Sequence, residues 1–93
     1  MEVITANSNS RIKELNKLNK DAKLRKDRDV FVVEGIRMFR ELPLQNVQEV
    51  YLSESALKEY RDEFKSMGVL DGRNTWILSD GVFAGVSQTK TTQ

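Results

Sequence analysis

VYLSESALKEYRDEFKSMG, residues Val50 to Gly68, holds a complete strand-to-helix unit. Val50, Tyr51 and Leu52, with Val47 before them, are the β-branched, aromatic and aliphatic types that suit a pleated, extended chain. Ser53 follows as a helix N-cap, and Glu54 stands where the positive end of a helix dipole favours an acid. Leu57, Tyr60, Phe64 and Met67 then recur at i, i+3, i+7 and i+10, which places them on one buried face of a helix. Gly68 is the expected stop, because a left-handed residue at a helix end has no Cβ penalty when it is glycine.

The same grammar extends in both directions. Downstream, residues 71–74 read as a turn and Thr75 to Leu78 as a strand. Ser79 and Asp80 open a last helix that carries Val82, Phe83 and Val86. Trp76 and Phe83 are expected to be buried, Trp76 in the core rather than as a platform for bases. Upstream, Val30 to Val33 is a continuous apolar run that reads as a strand buried on both faces. Glu34 and Gly35 end it. A short helix follows, with Ile36 and Phe39 facing inward and Pro43 closing it. Strands alternating with helices imply an α/β layered structure with a largely parallel sheet. The strand-to-helix turns Glu34–Gly35, Ser53–Glu54 and Ser79–Asp80 are then expected along the carboxyl edge, where ligands of open α/β sheets bind. Gly35 in such a turn either lets a ligand approach the backbone or simply satisfies a tight bend.

Before the valine run, Glu2 to Thr5 is a short extended lead-in. Asn7 to Ser10 form a cluster of N-cap residues. Ile12, Leu15, Leu18 and Ala22 then make an apolar stripe, with Lys13, Lys17 and Lys20 on the opposite face. After Asp21 the period weakens into a second helical turn and a loop, with Arg25 and Lys26 exposed.

At 93 residues the chain makes one domain. With 39% hydrophobic and 31% charged residues it has a globular composition. It contains no cysteine and no histidine. Disulfides, zinc–thiolate sites, cysteine nucleophiles and Ser–His pairs are thereby excluded. No apolar run is long enough to cross a bilayer, so an intracellular, cytoplasmic protein without a membrane partner is expected. Neither a Walker-type phosphate loop nor GxGxxG occurs. Glu34 as a general base, or Glu59, Asp62 and Glu63 as a metal site, are weaker readings than local pairing and a solvated helix face. No catalytic, metal or cofactor site is expected.

Charge is unevenly spread. From Arg11 to Arg28 there are eight basic residues and three acids, a balance of +5. From Asp29 to the end there are seven basic residues and ten acids, a balance of −3. Residues 1–28 thus form a basic helical arm and residues 29–88 a mildly acidic α/β body. Such a concentrated positive field suits a polyanion, although a solvated helix face would carry the same pattern. The candidate residues for binding a polyanion such as nucleic acid are Lys13, Lys17, Lys20, Lys23, Arg25, Lys26 and Arg28, with Gly35 and Arg37 at the bend.

Three segments carry a family resemblance. They are Asn7-Ser8-Asn9-Ser10-Arg11-Ile12-Lys13 with Leu15, Leu18 and residues 23–26; Phe31-Val32-Val33-Glu34-Gly35-Ile36-Arg37; and Ser79-Asp80-Gly81-Val82-Phe83 with residues 87–93. Together they resemble the N-terminal substrate-binding domain of the SpoU/TrmH family of RNA ribose 2′-O-methyltransferases. The resemblance implies a three-layer α/β/α sandwich similar to kink-turn-binding ribosomal proteins. It implies that the domain holds folded rRNA or tRNA, while a separate knotted SPOUT domain binds S-adenosylmethionine and dimerises. Residues 89–93 would begin the connection to it. Thr92 stands where proline is common, and the strand that usually follows would lie past Gln93, which leaves open whether the sheet edge is covered. A stand-alone kink-turn RNA binder, or a protein-interaction module using the acidic helix 54–67, are the alternative readings.

Overall fold

The computed structural model describes residues 2–72 and 74–89. Three short strands, β1 (Val3–Ile4), β2 (Val50–Ser53) and β3 (Thr75–Leu78), form one sheet in the order β1-β3-β2. Both pairings are parallel, with Val3 opposite Ile77 and Leu52 opposite Ile77 from the other side. Five helices accompany them: α1 (Ser10–Lys20), α2 (Ala22–Arg28), α3 (Ile36–Glu41), α4 (Glu54–Ser66) and α5 (Asp80–Thr89). Residues 90–93, the expected connection, lie outside the described residues.

The pleat separates two cores, because successive strand residues point to opposite faces. On one face Leu52 and Ile77 pack with Phe64 of α4 and with Val69, joined by Ile36 and Phe39 of α3. On the other, Leu78 packs with Ile12 of α1 and Val82 of α5, joined by Ile4 and Tyr51. The result is the expected three-layer α/β/α sandwich, α3 and α4 on one side and α1 and α5 on the other. Helix α3 is clipped to α4 by Arg40, whose Nε and one terminal nitrogen donate to the Glu63 carboxylate at 2.7 and 2.9 Å. Glu63 is thus engaged as a local ion-pair partner.

The caps follow the residue types. The Ser53 hydroxyl accepts from the Ala56 amide at 3.0 Å, and that of Ser79 from the Val82 amide at 3.3 Å. Gly68 takes the left-handed conformation, φ 78°, just past α4. Helix α4 also kinks at Tyr60.

The Val30–Val33 run is not a strand, which corrects the expectation. Asp29, in the left-handed region at φ 55°, closes α2, and the Val30 amide donates back to the Arg25 carbonyl at 3.0 Å. The chain then runs outside the sheet with Phe31 76% exposed. The central strand β3 pairs with β1 and β2, and the run joins neither of their outer edges: the left-handed turn at Asp29 and the Val30–Arg25 hydrogen bond carry it away from the sheet. The residues read as a lead-in, Val3 and Ile4, take the place expected for the valines. The Glu34–Gly35 bend is consequently not a turn at the sheet's carboxyl edge; Gly35, at φ 103° and ψ 145°, opens α3 instead.

At that carboxyl edge the chain fills its own site. The Asp80 carboxylate accepts from both the amide and the hydroxyl of Ser55, tying the start of α5 to the start of α4. These hydrogen bonds, hydroxyl first, hold the Asp80 carboxyl below its usual value of 3.8. The hydrogen bond from Arg40 likewise holds Glu63 below 4.5. A carboxyl depressed by folding stabilises the folded state above its unfolded pKa, and that contribution disappears as pH falls through the folded pKa. Thermal stability should therefore drop in acid, from about pH 5 downward. Asp80→Asn should shrink that drop between about pH 6 and about pH 3, measured as Tm by circular dichroism. An unchanged acid profile would mean that Asp80 does not act at this joint.

Candidate nucleic-acid interface

The basic arm is a helical hairpin. Asp21 makes the bend: its amide donates to the Lys17 carbonyl at 3.0 Å, ending α1, and its carboxylate accepts from the Leu24 amide at 3.0 Å, starting α2. One Arg25 terminal nitrogen donates to the carbonyls of Leu18 and Asn19, both at 2.7 Å. These carbonyls belong to the last turn of α1, which has no helical donors of its own. Arg28 reaches Glu14 at 3.6 Å, so α2 folds back along α1.

The arginines and lysines have separated by duty. Arg25 is half-buried and fastens the hairpin, and Arg28 is in an exposed ion pair. Lys13, Lys17, Lys20, Lys23 and Lys26 are all exposed. Among the described residues none of these five lysines joins an ion pair. Lys13, Lys17 and Lys20 form the outer ridge of α1, opposite buried Ile12 and Leu15. Arg25→Leu is expected to cost about 1–3 kcal/mol in a denaturant melt, by leaving two helix-end carbonyls without their charged donor. A loss below a few tenths of a kcal/mol would show that the fastening does not matter.

Asn19, 2% exposed, continues the inward stripe of α1 where Ala22 was expected; Ala22 is exposed and belongs to α2. The Asn19 amide donates to the Val86 carbonyl of α5 at 3.3 Å. One residue on, the Ser87 hydroxyl donates to Glu34 at 2.6 Å. The last turn of α5 therefore supports both the Lys20 end of the ridge and the Glu34–Gly35 bend. Arg37 is exposed on α3 just past that bend. Lys26 lies elsewhere, lining a groove with Phe31, Gln45 and Gln48. Lys23 is exposed on α2, and Arg28 lies toward the opposite end of α1, beside Glu14.

Trp76 is not in the core. It is half-buried and stacks on Tyr51, its cross-strand partner, with ring centroids 5.3 Å apart and planes 22° from parallel. The Arg11 guanidinium lies 3.8 Å over the Trp76 ring. Arg11 also reaches Glu49 at 3.5 Å, and the Tyr51 hydroxyl donates to Glu49 at 2.9 Å. Burial, and then the bond to Glu49, push the Tyr51 phenol up to about 12. The stack floors a cleft of about 690 Å³, bordered by Glu14 and Arg28. The pleat explains the exposure: Trp76 shares a face with Leu78, but Ile12 and Val82 cover that face only at the Leu78 end. The sequence signal was present in the alternation of Tyr51 with Leu52 and of Trp76 with Ile77, which sets both rings on the same side.

A family model described as the MRM3-like substrate binding domain matches residues 9–93. No curated protein and no solved structure matched the chain.

Proposed function

Because the chain belongs to the MRM3-like substrate binding domain family, a domain associated with SpoU-type methyltransferases, we propose that it is the RNA-recognition domain of a ribose 2′-O-methyltransferase. In this reading it holds folded RNA, of the rRNA or tRNA kind, so that a ribose hydroxyl enters a separate catalytic domain. The observation that carries the reading is the lysine ridge of α1, whose cations no carboxylate neutralises among the described residues. Lys13, Lys17 and Lys20 act as point charges on phosphates. Such contacts position RNA without reading its sequence. Arg25 contributes indirectly, by holding α2 against α1.

Methyl transfer would draw its methyl group from S-adenosylmethionine. The residues here do not fit that cofactor at the usual place: the carboxyl edge of the sheet is closed by the Asp80–Ser55 contacts. No step through it is assigned to this chain. No helix among the described residues is long and apolar enough to cross a membrane.

The test is a titration of the chain with a folded RNA at several salt concentrations. Log K should fall linearly with log salt, with a slope near −0.7 to −0.9 for each phosphate neutralised, roughly −2 to −3 for the ridge alone. A flat response overturns the reading.

A further inference from the structure

From the geometry of the Tyr51–Trp76 cleft we infer that it is a subsite for one unpaired guanine of the bound RNA, admitted in exchange for the Arg11 guanidinium. This rests on the reading of the chain as an RNA-binding domain and adds to it a base that the lysine ridge does not contact.

The argument starts from what the cleft already holds. A planar guanidinium lies on an indole face at 3.8 Å and turns one terminal N–H to a carboxylate, Glu49, at 3.5 Å. The N1–H and N2–H₂ edge of guanine is itself a guanidine fragment: flat, conjugated, and carrying a fork of N–H donors. A site that stacks one flat N–H donor group and accepts from it has the parts to stack and accept from the other. Adenine and uracil present no such pair of adjacent donors.

The arrangement also accounts for acids in a site meant for a polyanion. Glu49 is the acceptor for the base edge, positioned by the Tyr51 hydroxyl at 2.9 Å. Glu14 is already paired with Arg28 at 3.6 Å and so adds little repulsion. Arg11, held by one long ion pair, a ring face and the Tyr51 hydroxyl, exchanges these for the phosphate of the entering nucleotide. The base must be unpaired, because in a duplex its N1 and N2 donors are already used. The cleft, about 690 Å³, has room for a single nucleotide.

The chain contains a single tryptophan, so its fluorescence reports on Trp76 alone. The full chain is titrated with short oligouridines carrying one central guanosine, inosine or adenosine. Guanosine should quench the emission and bind about tenfold more tightly than adenosine, with inosine, which keeps N1–H but lacks the N2 amine, in between. Glu49→Gln should abolish the preference, that variant binding the three oligomers alike. Equal binding of the three oligomers, or a preference that survives Glu49→Gln, overturns the guanine subsite while a steep salt slope keeps the RNA reading. If no RNA binds at all, both are overturned.

Discussion

Phe64→Ala is expected to destabilise the domain by about 3–5 kcal/mol. Phe64 is 2% exposed at the centre of the α3–α4 side of the sheet, packed on Leu52, Val69 and Ile77. Its ring meets Phe39 and Tyr60 edge to face, at centroid distances of 5.8 and 6.1 Å. Truncation removes the largest side chain of that core and leaves a cavity that short strands and a kinked helix fill poorly. A domain of this length has on the order of 5–14 kcal/mol of total stability, so about a fifth or more is at stake. Urea unfolding followed by far-UV circular dichroism would read it as a lower midpoint. Phe31→Ala is the control. Phe31 is equally apolar but 76% exposed, so its removal should change stability by less than about 0.5 kcal/mol. If the two variants unfolded alike, the placement of the valine run outside the sheet would be wrong.

Neutralising the ridge, Lys13→Gln with Lys17→Gln and Lys20→Gln, is the largest effect expected on binding. Removing three phosphate contacts should lower the magnitude of the salt slope by about 2 to 3. At about 50 mM salt that amounts to a weakening on the order of a hundredfold to a thousandfold. The substitutions lie on the solvent face of α1, opposite Ile12 and Leu15, so the melting temperature should hold. Lys65→Gln, near the end of α4 on the other side of the sheet, should leave binding nearly unchanged. Equal losses from the ridge and from Lys65 would mean that overall charge, rather than this face, attracts the RNA.

Most of the architecture was legible because its signals are local. Ser53, Ser79 and Gly68 sit where their side chain or backbone freedom is needed within a turn of chain. The period of Leu57, Tyr60, Phe64 and Met67 can bury only one helix face. The lysine ridge was legible for the same reason, being the opposite face of the Ile12–Leu15 stripe. The errors concern partners outside the local pattern, whether on a helix folded back or on another element of the sandwich. Val30 to Val33 have the composition of a strand, yet the left-handed Asp29 and the Val30–Arg25 hydrogen bond turn the run away from the sheet. Arg25 has the composition of a phosphate ligand, but the carbonyls of Leu18 and Asn19 claim it once α2 folds back. Trp76 reads as core from hydrophobicity alone, and only the reach of α1 and α5 across the sheet leaves it at a cleft.

What the amino-acid order settled by itself was the identity of the elements and their inward faces: capping, periodicity and left-handed stops act over a few residues. Tertiary structure alone decided which strand sits beside β3, which cations remain in solvent and which aromatic rings meet a ligand. Each of those outcomes depends on which groups the fold brings together: which segment pairs with β3, which carbonyls or carboxylates claim an arginine, and how far a helix covers the sheet.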